Sequence, residues 1–561
     1  MPQADDGKRG GAFQRRKYRA EILHMLGDKA RSVYILNGNE VHVVLAGKED
    51  VPDLCYHLND ALKARLATVV CSDERQAGRG FVLRYVFAKE NGEDVFIVVT
   101  AGIKDDAGPN ASFRSISSRI PPAALYEREI QDMFGLVPDG NPDARPLVLH
   151  EQWPKGVYPL RKDFATGTKV GREHGSQYPF AKVEGEGITE IPVGPVHAGI
   201  IEPGHFRFSV LGENIVNLET RLFYTHKGTE KLAEGMKLDQ ALLLSERIAG
   251  DEAVANSTAY CQALEKIARA KVPKKALQTR AVCAELERIY NHLGTLAGMS
   301  TDVGFAYGAA RLYILKERMM QLNGQVAGSR LLFGVNRIGG VGIDLKENAL
   351  AIVKTTNQML EDFGRVVSML RSKSSVMDRM RNTGIISRQV AVDLGLVGIA
   401  ARCAGIDVDT RRDHPYAAYD SLRLDAHHDT PEHTIEYEVE MQKRKGDALS
   451  RFEARVEEVI NSASMIKEAV AGLHGGELAA AGISEQLEPF SHALGYVESH
   501  RGQTVHWVMM GSDRDSLFRY KVRTASFVNW PTIEQAVLSD IVPDFPLVNK
   551  SLDLSYSGND L

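Results

Sequence analysis

The sequence contains few cysteines, and their positions exclude two kinds of site. Its 561 residues include 5 cysteines, and no two of them form a C-x-x-C pair. The spacing therefore predicts neither a disulfide framework nor a site in which paired thiolates bind a metal. Such cysteine usage is typical of a protein that works in a reducing compartment. The five are Cys55, Cys71, Cys261, Cys283 and Cys403.

Long apolar runs are also absent from the sequence. No stretch of about 18 consecutive apolar residues occurs in it, which excludes a membrane-spanning helix. Arg15 and Arg16 lie near the start, but no apolar segment follows them, so a secretory or twin-arginine signal is not predicted. We therefore expect any association with a membrane to depend on partner subunits.

Neither sign of charge is in large excess. The chain has 68 Lys and Arg residues against 73 Asp and Glu residues, which gives a formal net charge of −5. This balance does not indicate the basic surface that is typical of nucleic-acid-binding proteins, and we expect no nucleic-acid partner. With 43% hydrophobic and 25% charged residues, the composition is that of a globular protein, and the length indicates two or three domains.

The hydrophobic pattern predicts an α+β fold that divides near residue 170. In the first part, runs such as "SVYILNGNEVHVVLAG" and "DVFIVVTAGI" alternate with helix-like segments, which favours a small N-terminal α/β domain with a mostly antiparallel sheet. A stretch that is rich in glycine and charge is then typical of a linker. We predict a flexible N-terminus at 1–25, the α/β domain at 26–168, the linker at 169–188 and a second domain at 189–561.

The second domain is predicted to be a large, mainly helical bundle with peripheral β-structure. It opens with strand-like alternation in "HFRFSV" and a turn at 212–214. Segments such as "TRAVCAELERIYNHLGTLAGM", where apolar residues recur at steps of three and four, predict helices between 229 and 475. "QTVHWVMMGS" and "LFRYKVRTASFVN" return to strand-like alternation, and we expect a final loop after them.

Several motifs resemble those of known respiratory proteins. "YEREIQDMFGLVPDGNPDARPLVLHEQW" with "YPLRKDF" resembles the small peripheral subunit of respiratory complex I. "GPVHAGIIEPGHFRF", "ELERIYNHLG", "RRDHPYAAYD" and "VESHRGQTVHW" resemble the large subunit that complex I shares with energy-converting nickel-iron hydrogenases. A fusion of the two is most similar to the large subunit of formate hydrogenlyase and hydrogenase-4. The resemblance implies the fold of a nickel-iron hydrogenase large subunit in the second domain.

In that family two cysteine pairs hold nickel and iron, because soft thiolates suit those metals. Arg247 and Gly250 match the pattern around the first pair, and Asp553 matches the pattern around the second. None of the four cysteine positions carries a soft ligand. Their side chains are a methyl group, a carboxylate, a hydroxyl and a hydrogen atom. We therefore predict no metal, and a nickel-iron hydrogenase is the least favoured function. The four residues are Ala249, Glu252, Ser555 and Gly558.

The resemblance also implies which residues line the emptied cavity. In complex I the equivalent cavity accepts a quinone headgroup, beside a histidine and a tyrosine. His197 matches the histidine, whereas the place of the tyrosine falls near Gly250, so the quinone site is half matched. We expect the cavity to lie where the loop around His197, the helix start around Gly250 and the terminal segment converge. The predicted lining residues are His197, Gly250, Glu252 and Ser555.

Three residues are predicted to be catalytic. His197 would donate a proton to a carbonyl oxygen near neutral pH. Glu202, which matches an acidic residue near the metal of the hydrogenases, would pass protons. Arg247 would orient an anionic intermediate, or pair with Asp251 or Glu252. The structural alternatives are a turn histidine, a solvated turn glutamate and an arginine in a surface ion pair.

Two functions remain open at this point. In the first, the chain is a subunit of a membrane-associated, complex I-like oxidoreductase that passes electrons from an iron-sulfur cluster of a small partner subunit to a quinone or similar acceptor. In the second, it is a non-catalytic structural or coupling subunit of such a complex. We expect the chain itself to bind no cofactor other than, in the first case, a quinone. Membrane-arm partners with a quinone site and antiporter-like subunits would move ions and hold it at the cytoplasmic side of the membrane. The electron donor, the acceptor and the ion are not indicated.

Overall fold

The structure of the protein is a computed structural model. The residues that it describes are 6–90, 92–104, 111–198, 201–424, 444–473, 475–483 and 486–561.

The first part of the chain is built around one sheet. Its elements are α1 (Asp6–Leu26), β1 (Ala30–Leu36), β2 (Glu40–Leu45), α2 (Val51–Asp60), β3 (Arg65–Asp73), β4 (Phe81–Lys89), β5 (Val95–Ile103), β6 (Ser112–Arg114), α3 (Ala123–Phe134) and β7 (Val137–Asp139).

Strands β1 to β5 form a five-stranded sheet in the order β1-β2-β5-β4-β3. β2 and β5 run parallel, and the other neighbours are antiparallel, which confirms the predicted α/β organisation with a mostly antiparallel sheet. Every residue of β4 is buried. Tyr85 and Phe87 belong to the core on one face, and Val86 and Ala88 to the core on the other, because successive side chains of a strand point to opposite faces.

The N-terminal segment differs from the prediction. Residues 6–26 form helix α1, which packs on the sheet, rather than a flexible N-terminus. Tyr18, Ile22 and Leu26 recur at a spacing of four and are buried in the core beneath the sheet. The charged residues between them obscure this narrow apolar stripe in the sequence, and the stripe finds its partner only in the folded protein. The first five residues of the predicted segment lie outside the described part of the chain.

The second part begins with a small sheet and continues as a helix bundle. Its elements as far as the bundle are β8 (Ile188–Val193), β9 (His205–Leu211), β10 (Asn214–Arg221), α4 (Thr229–Ala233), α5 (Leu238–Ser245), α6 (Ala253–Ile267), α7 (Lys274–Asp302), α8 (Ala306–Ala327), β11 (Asn336–Arg337), β12 (Gly340–Val341), α9 (Ala349–Arg371), α10 (Ser374–Met380), α11 (Arg388–Asp393), α12 (Gly398–Cys403), α13 (Thr410–Asp413) and α14 (Ala448–Ala471).

Strands β8, β9 and β10 form an antiparallel sheet, and the pair Leu211↔Asn214 places the turn where the sequence predicts it. Helices α7, α8, α9 and α14 enclose the core of the bundle. Helix α7 is buried along most of its length, including charged residues such as Glu285 and Arg288, which pair with one another. The predicted α+β class with a mainly helical second part is confirmed.

The chain ends in a third sheet and short helices. They are β13 (His492–Ser499), β14 (Gly502–Met510), β15 (Leu517–Arg523), α15 (Ala525–Asn529), α16 (Thr532–Ala536), α17 (Phe545–Leu552) and α18 (Tyr556–Asp560).

The expectation of a final loop is wrong, because helices α15 to α18 follow the last strand. Leu547, Val548 and Leu552 are buried against the rest of the protein, so tertiary packing stabilises segments that are too short to be helical alone. These helices matter for the site, since they hold the terminal residues in the interior.

The two parts of the chain pack against each other through buried surfaces. Arg519 donates to the carbonyl oxygen of Cys71 over 2.9 Å, and Arg523 donates to that of Ala67 over 2.7 Å. Trp507 on β14 packs in the same core as residues of β3 and β4. Throughout the described residues, we find no helix with the length and apolar character needed to cross a membrane.

Candidate functional site

Two of the three segments that were expected to form a cavity meet at Gly558. A Cβ atom placed on Gly558 would lie 3.6 Å from Oε2 of Glu252 and 3.0 Å from Oγ of Ser555. Glu252 ends a short 3-10 turn that begins at Gly250, and its N–H donates to the carbonyl of Ala249 over 3.0 Å. The positions that match the four cysteines of the family pattern are therefore brought together without a metal.

Local hydrogen bonds explain why the terminal segment turns at this point. Ser555 is the N-cap of α18, and its Oγ accepts a hydrogen bond from the N–H of Gly558 over 2.9 Å. Ser555 also donates from its own N–H to Ser526 over 3.0 Å. Because the hydroxyl satisfies an otherwise unpaired donor of the helix, the role of Ser555 in this segment is structural.

Helix α6 begins directly after Glu252 and is capped from a neighbouring helix. The carboxylate of Glu287 on α7 accepts from the N–H of Val254 over 2.7 Å and from that of Ala255 over 3.0 Å. Burial raises the pKa of Glu287 well above its ordinary value, and the acidic neighbours Glu252 and Asp251 raise it further. This cap fixes the position of Glu252 at the start of the helix.

Glu252 is the unusual side chain of the site. It is 1% exposed, and neither carboxylate oxygen has a hydrogen-bond partner. Nη1 of Arg501 is the nearby cation, 3.5 Å from Oε1. Burying an ionised carboxylate without hydrogen bonds is costly, so such a group is a candidate for interaction with water or a ligand.

Arg501 links the acidic residues of the site. It lies in the turn between β13 and β14, is 8% exposed, and donates from Nη2 to Asp251 over 2.7 Å and from Nε to the carbonyl oxygen of Asp553. Burial alone would raise the pKa of Asp553, but the charges of Arg501 and Arg455 and the contact with His500 together outweigh it, and the pKa lies well below its ordinary value. We refer to Glu252, Arg501, Asp251, Asp553 and Ser555 as the Glu252 cluster.

Sequence reasoning did not select Arg501. The residue stands in the motif "VESHRGQTVHW", which carries the family resemblance, but it is about 250 positions from Glu252. Only the fold shows that the two side chains face each other.

The donors at this site do not fit a nickel-iron centre. Ala249 and Gly558 offer no donor atom, the hydroxyl of Ser555 caps a helix, and the guanidinium of Arg501 lies beside the remaining carboxylate. In the described part of the chain, no group of three or more His, Cys, Asp or Glu side chains is arranged to hold a metal ion.

Glu202 contacts the terminal helix. Its Oε2 accepts a hydrogen bond from the N–H of Ser557 over 3.1 Å. Its charge acts on Lys227 and on Tyr556, and burial together with this charge raises the pKa of Tyr556 to about 12. The structure thus places Glu202 beside the segment that carries Ser555 and Gly558.

His197 lies in the same loop as Glu202 but bonds within that loop. Its Nε2 is 2.7 Å from the carbonyl oxygen of Gly204, and its ring lies 5.8 Å from that of Phe206. Gly204 in turn packs against Tyr556, since a Cβ on Gly204 would lie 2.7 Å from the Tyr556 ring. The loop is therefore anchored on the terminal helix, with the imidazole nitrogen directed at its own backbone.

Arg247 and Gly250 lie to the side of the Glu252 cluster. The Arg247 side chain is 55% exposed and pairs with Glu246, 3.2 Å away, over the ring of Phe333. The expected pairing of Arg247 with Asp251 or Glu252 is wrong, because Arg247 pairs with Glu246 and both of those carboxylates pair with Arg501. A Cβ on Gly250 would likewise face Phe333.

Comparison with known proteins first defines the class of the chain. The family of the 30 Kd subunit of respiratory-chain NADH dehydrogenase matches residues 44–170, and the family of the 49 Kd subunit matches residues 302–492. The chain thus fuses two subunit types that belong to one respiratory enzyme, which confirms the resemblance seen in its motifs.

Relatives then define the family more closely. Hydrogenase-4 component G of Escherichia coli (strain K12) is 36% identical over 515 residues, which cover 91% of this chain and 86% of that protein. Formate hydrogenlyase subunit 5 of the same organism is 34% identical over 500 residues, 88% of this chain and 84% of that protein. The chain belongs to the family of hydrogenase-4 component G and formate hydrogenlyase subunit 5.

A solved structure shares the fold. A chain of the membrane-bound sulfane sulfur reductase, an archaeal respiratory membrane complex, superimposes with a TM-score of 0.60 at 22% sequence identity. The match covers 67% of this chain and 99% of that chain. At this level of identity the likeness concerns the fold alone.

Proposed function

We propose that the protein is the subunit of a membrane-associated, complex I-like oxidoreductase in which electrons from an iron-sulfur cluster of a partner subunit reach a quinone or similar acceptor at the Glu252 cluster. Membrane-arm partners move ions and hold the chain at the cytoplasmic face of the membrane. Membership of a family with hydrogenase-4 component G, and the match to two NADH dehydrogenase subunit families, support this assignment.

One observation carries the proposal. The carboxylate of Glu252 is buried without a hydrogen bond, 3.5 Å from the guanidinium of Arg501 and next to the terminal helix. A vestigial cavity that served packing alone would be more stable with apolar side chains, because buried polar groups without partners are destabilising. Retention of such a group is expected where it acts on a ligand or a proton.

The residues of the cluster have the chemistry that acceptor reduction requires. The guanidinium of Arg501 would stabilise the negative charge that develops on an acceptor oxygen when electrons arrive. The free oxygens of Glu252 would deliver a proton to that oxygen or receive one from water. Glu202, which is bonded to the terminal helix at Ser557, would exchange protons from the loop side.

The test uses the purified complex with its partner subunits. Glu252→Gln removes the charge but keeps the shape, and it should abolish most acceptor reduction while assembly stays intact. The matched control is Glu127→Gln, since Glu127 is 0% exposed but lies in the first part, bonded to Ser115 and to the N–H of Ile116. Quinone reduction and subunit content are measured on both variants. Normal turnover in the Glu252→Gln complex would contradict the proposal.

A structural or coupling subunit is the second candidate. The orientation of His197 favours it, because the imidazole bonds to Gly204 of its own loop instead of facing the cluster. Under this reading, His197→Ala and Glu202→Gln complexes would both assemble and turn over normally. Loss of turnover in either variant, with assembly intact, would favour the redox subunit.

A further inference from the structure

A row of buried polar side chains leads from the Glu252 cluster into the helix bundle. Its members after Asp553 are His500, His292 and Glu458, which come from the turn between β13 and β14, from α7 and from α14. None of them is needed for the contacts described above. Several of their polar atoms have no hydrogen-bond partner although they are buried.

His500 forms the link to the cluster. It is 3% exposed, its Nε2 lies 3.5 Å from Oδ2 of Asp553, and neither ring nitrogen has a hydrogen bond. Its ring stands nearly at right angles to that of His292, with 6.1 Å between the ring centres.

His292 connects this ring to a carboxylate. Its Nε2 is 2.8 Å from Oε2 of Glu458, while its Nδ1 has no partner. The pKa of Glu458 lies well below its ordinary value, because Arg402 and the neighbouring histidine outweigh the effect of burial. An ionised carboxylate only accepts hydrogen bonds, so Nε2 of His292 carries the hydrogen and Nδ1 presents a free lone pair.

Burial, assisted by the charge of Arg455, keeps this histidine neutral. Together with His500 they outweigh the opposing effect of Glu458 and lower the pKa of His292 to about 4. Arg455 is 1% exposed, donates to the carbonyl oxygen of Arg451 over 3.1 Å, and leaves its Nε without a partner. A neutral imidazole can take up a proton on one nitrogen and release one from the other, whereas a trapped imidazolium cannot.

The outer end of the row opens into a pocket. Glu458 lines a pocket together with Arg402, Asp409 and Asp407. The side chain of Asp407 is 52% exposed, so the pocket reaches the surface of the protein there. Arg402 bonds to Glu458 and, over 3.0 Å, to Glu498, which fixes the carboxylate at the pocket wall.

The buried polar atoms without hydrogen bonds along the row indicate bound water. Nδ1 of His292 and both nitrogens of His500 belong to rings whose centres are 6.1 Å apart, and Nε of Arg455, whose charge acts on His292 and on Asp553, is a fourth such atom. Each such atom would destabilise the fold if it stayed unsatisfied. A buried water needs two to four polar partners, and these atoms supply them.

We propose that His500, His292 and Glu458, with bridging water, form a proton path between the Glu252 cluster and the pocket at Asp407, separate from Glu202. The path rests on the proposed function, because the reduced acceptor takes up protons at the cluster. Delivery begins with Glu458 protonated from pocket water and with the hydrogen of His292 on Nδ1. Nδ1 then gives this proton to the water beside His500 while Nε2 takes the proton of Glu458, which leaves the Nε2–H and the ionised carboxylate of the structure. The ring is neutral before and after, and the cycle closes when Glu458 regains a proton from water in the pocket and the ring returns to the Nδ1–H tautomer.

The first test measures hydration of the path without any turnover. Exchange of the ring C2 hydrogen of each histidine with deuterated water is followed by mass spectrometry on the assembled complex. His506 is the internal control, because it is also 0% exposed but both ring nitrogens bond to protein groups, Asn256 and Tyr520. Burial lowers its pKa to about 3, close to that of His292. We expect exchange at His292 and His500 to be several-fold faster than at His506. Exchange as slow as at His506 would overturn the path.

The second test compares His292→Gln with His506→Gln in the same complex. A glutamine at 292 can hold a hydrogen bond but cannot relay a proton. Turnover should fall by at least about tenfold, since positioned acid-base groups contribute about 10²–10⁴-fold. The loss should grow as the pH rises and protons become scarce, whereas His506→Gln should keep the pH profile of the wild type.

The outcomes separate the two proposals. A His292→Gln profile that superimposes on that of the wild type would overturn the proton path even if quinone reduction is found. A wild-type complex that reduces no quinone would overturn the proposed function, while the ring exchange of His292 and His500 would still decide whether the path is hydrated.

Discussion

Replacing Arg501 with methionine tests the electrostatic account of the Glu252 cluster. The guanidinium is 8% exposed and is shared by Asp251, Glu252 and Asp553 at 2.7 to 3.9 Å. Removing one partner of a buried ion pair costs about 3–5 kcal/mol, because it leaves uncompensated charge. We expect a loss of this size at neutral pH in the local stability of the segments that meet here. Arg501→Lys, which keeps a positive charge, should lose less.

The loss should depend on pH in a defined direction. In the wild type the pKa of Asp553 is lowered, since Arg501, the largest of the lowering contributions, outweighs burial together with His500 and Arg455. A carboxyl group whose pKa is lowered by folding stabilises the fold at pH values above the pKa that it has in the unfolded chain. This contribution disappears as the pH falls through the pKa that it has in the folded protein. In Arg501→Met the largest of the lowering contributions is lost, so the pKa of Asp553 rises and its stabilising contribution at neutral pH shrinks. The difference between wild type and variant should therefore be largest near pH 7 and narrow below about pH 5.

Amide hydrogen exchange of residues 249–256 and 551–561 measures the loss of local stability in Arg501→Met. A local measurement is necessary because a chain of 561 residues need not unfold in one step. Arg365→Met is the control, since that side chain is 75% exposed and surface ion pairs contribute at most about 1 kcal/mol. A loss below about 1 kcal/mol for Arg501→Met, or one that stays constant with pH, would refute the reasoning.

Two further predictions concern the positions that match the family's metal ligands. Purified complex should contain no stoichiometric nickel in this chain, because Ala249, Ser555 and Gly558 supply no free donor atom. Elemental analysis that finds about one nickel per chain, or hydrogen uptake with a viologen dye, would contradict this prediction. Ser555→Ala should destabilise α18 by about 1 kcal/mol through loss of its N-cap and should accelerate amide exchange at 556–561. Ser555→Thr keeps a hydroxyl and should have neither effect. Equal exchange rates in the two variants would show that the cap does not stabilise the helix.

The sequence predicted the fold class and part of the site for different reasons. Alternating and helical periodicity are local signals, so the first sheet and the bundle could be predicted from them. The spacing of the family pattern placed Glu252 and Ser555 at one site, and the structure brings their positions together at Gly558. The short terminal helices escaped prediction because tertiary packing stabilises them, with little support from local propensity.

Side-chain direction is the part that the sequence could not supply. Arg247 matches the family motif, yet it points to solvent and pairs with Glu246. Arg501 carries no separate signal in its motif, yet the turn between β13 and β14 directs it at Glu252. The direction of a side chain at a helix end or in a turn depends on neighbours that are distant in sequence, and no local pattern encodes them.

The four positions that match the metal ligands differ in what they contribute to the fold. Ser555 caps a helix, and Gly558 lets the terminal turn approach, since a Cβ there would press on Ser555 at 3.0 Å. Ala249 has a small apolar side chain, and its burial does not destabilise the fold. Glu252 alone among the four has a buried polar side chain with no hydrogen-bond partner in the described residues. A buried carboxylate that faces Arg501 and hydrogen-bonds to no group of the described chain is the one to which chemistry is most reasonably assigned.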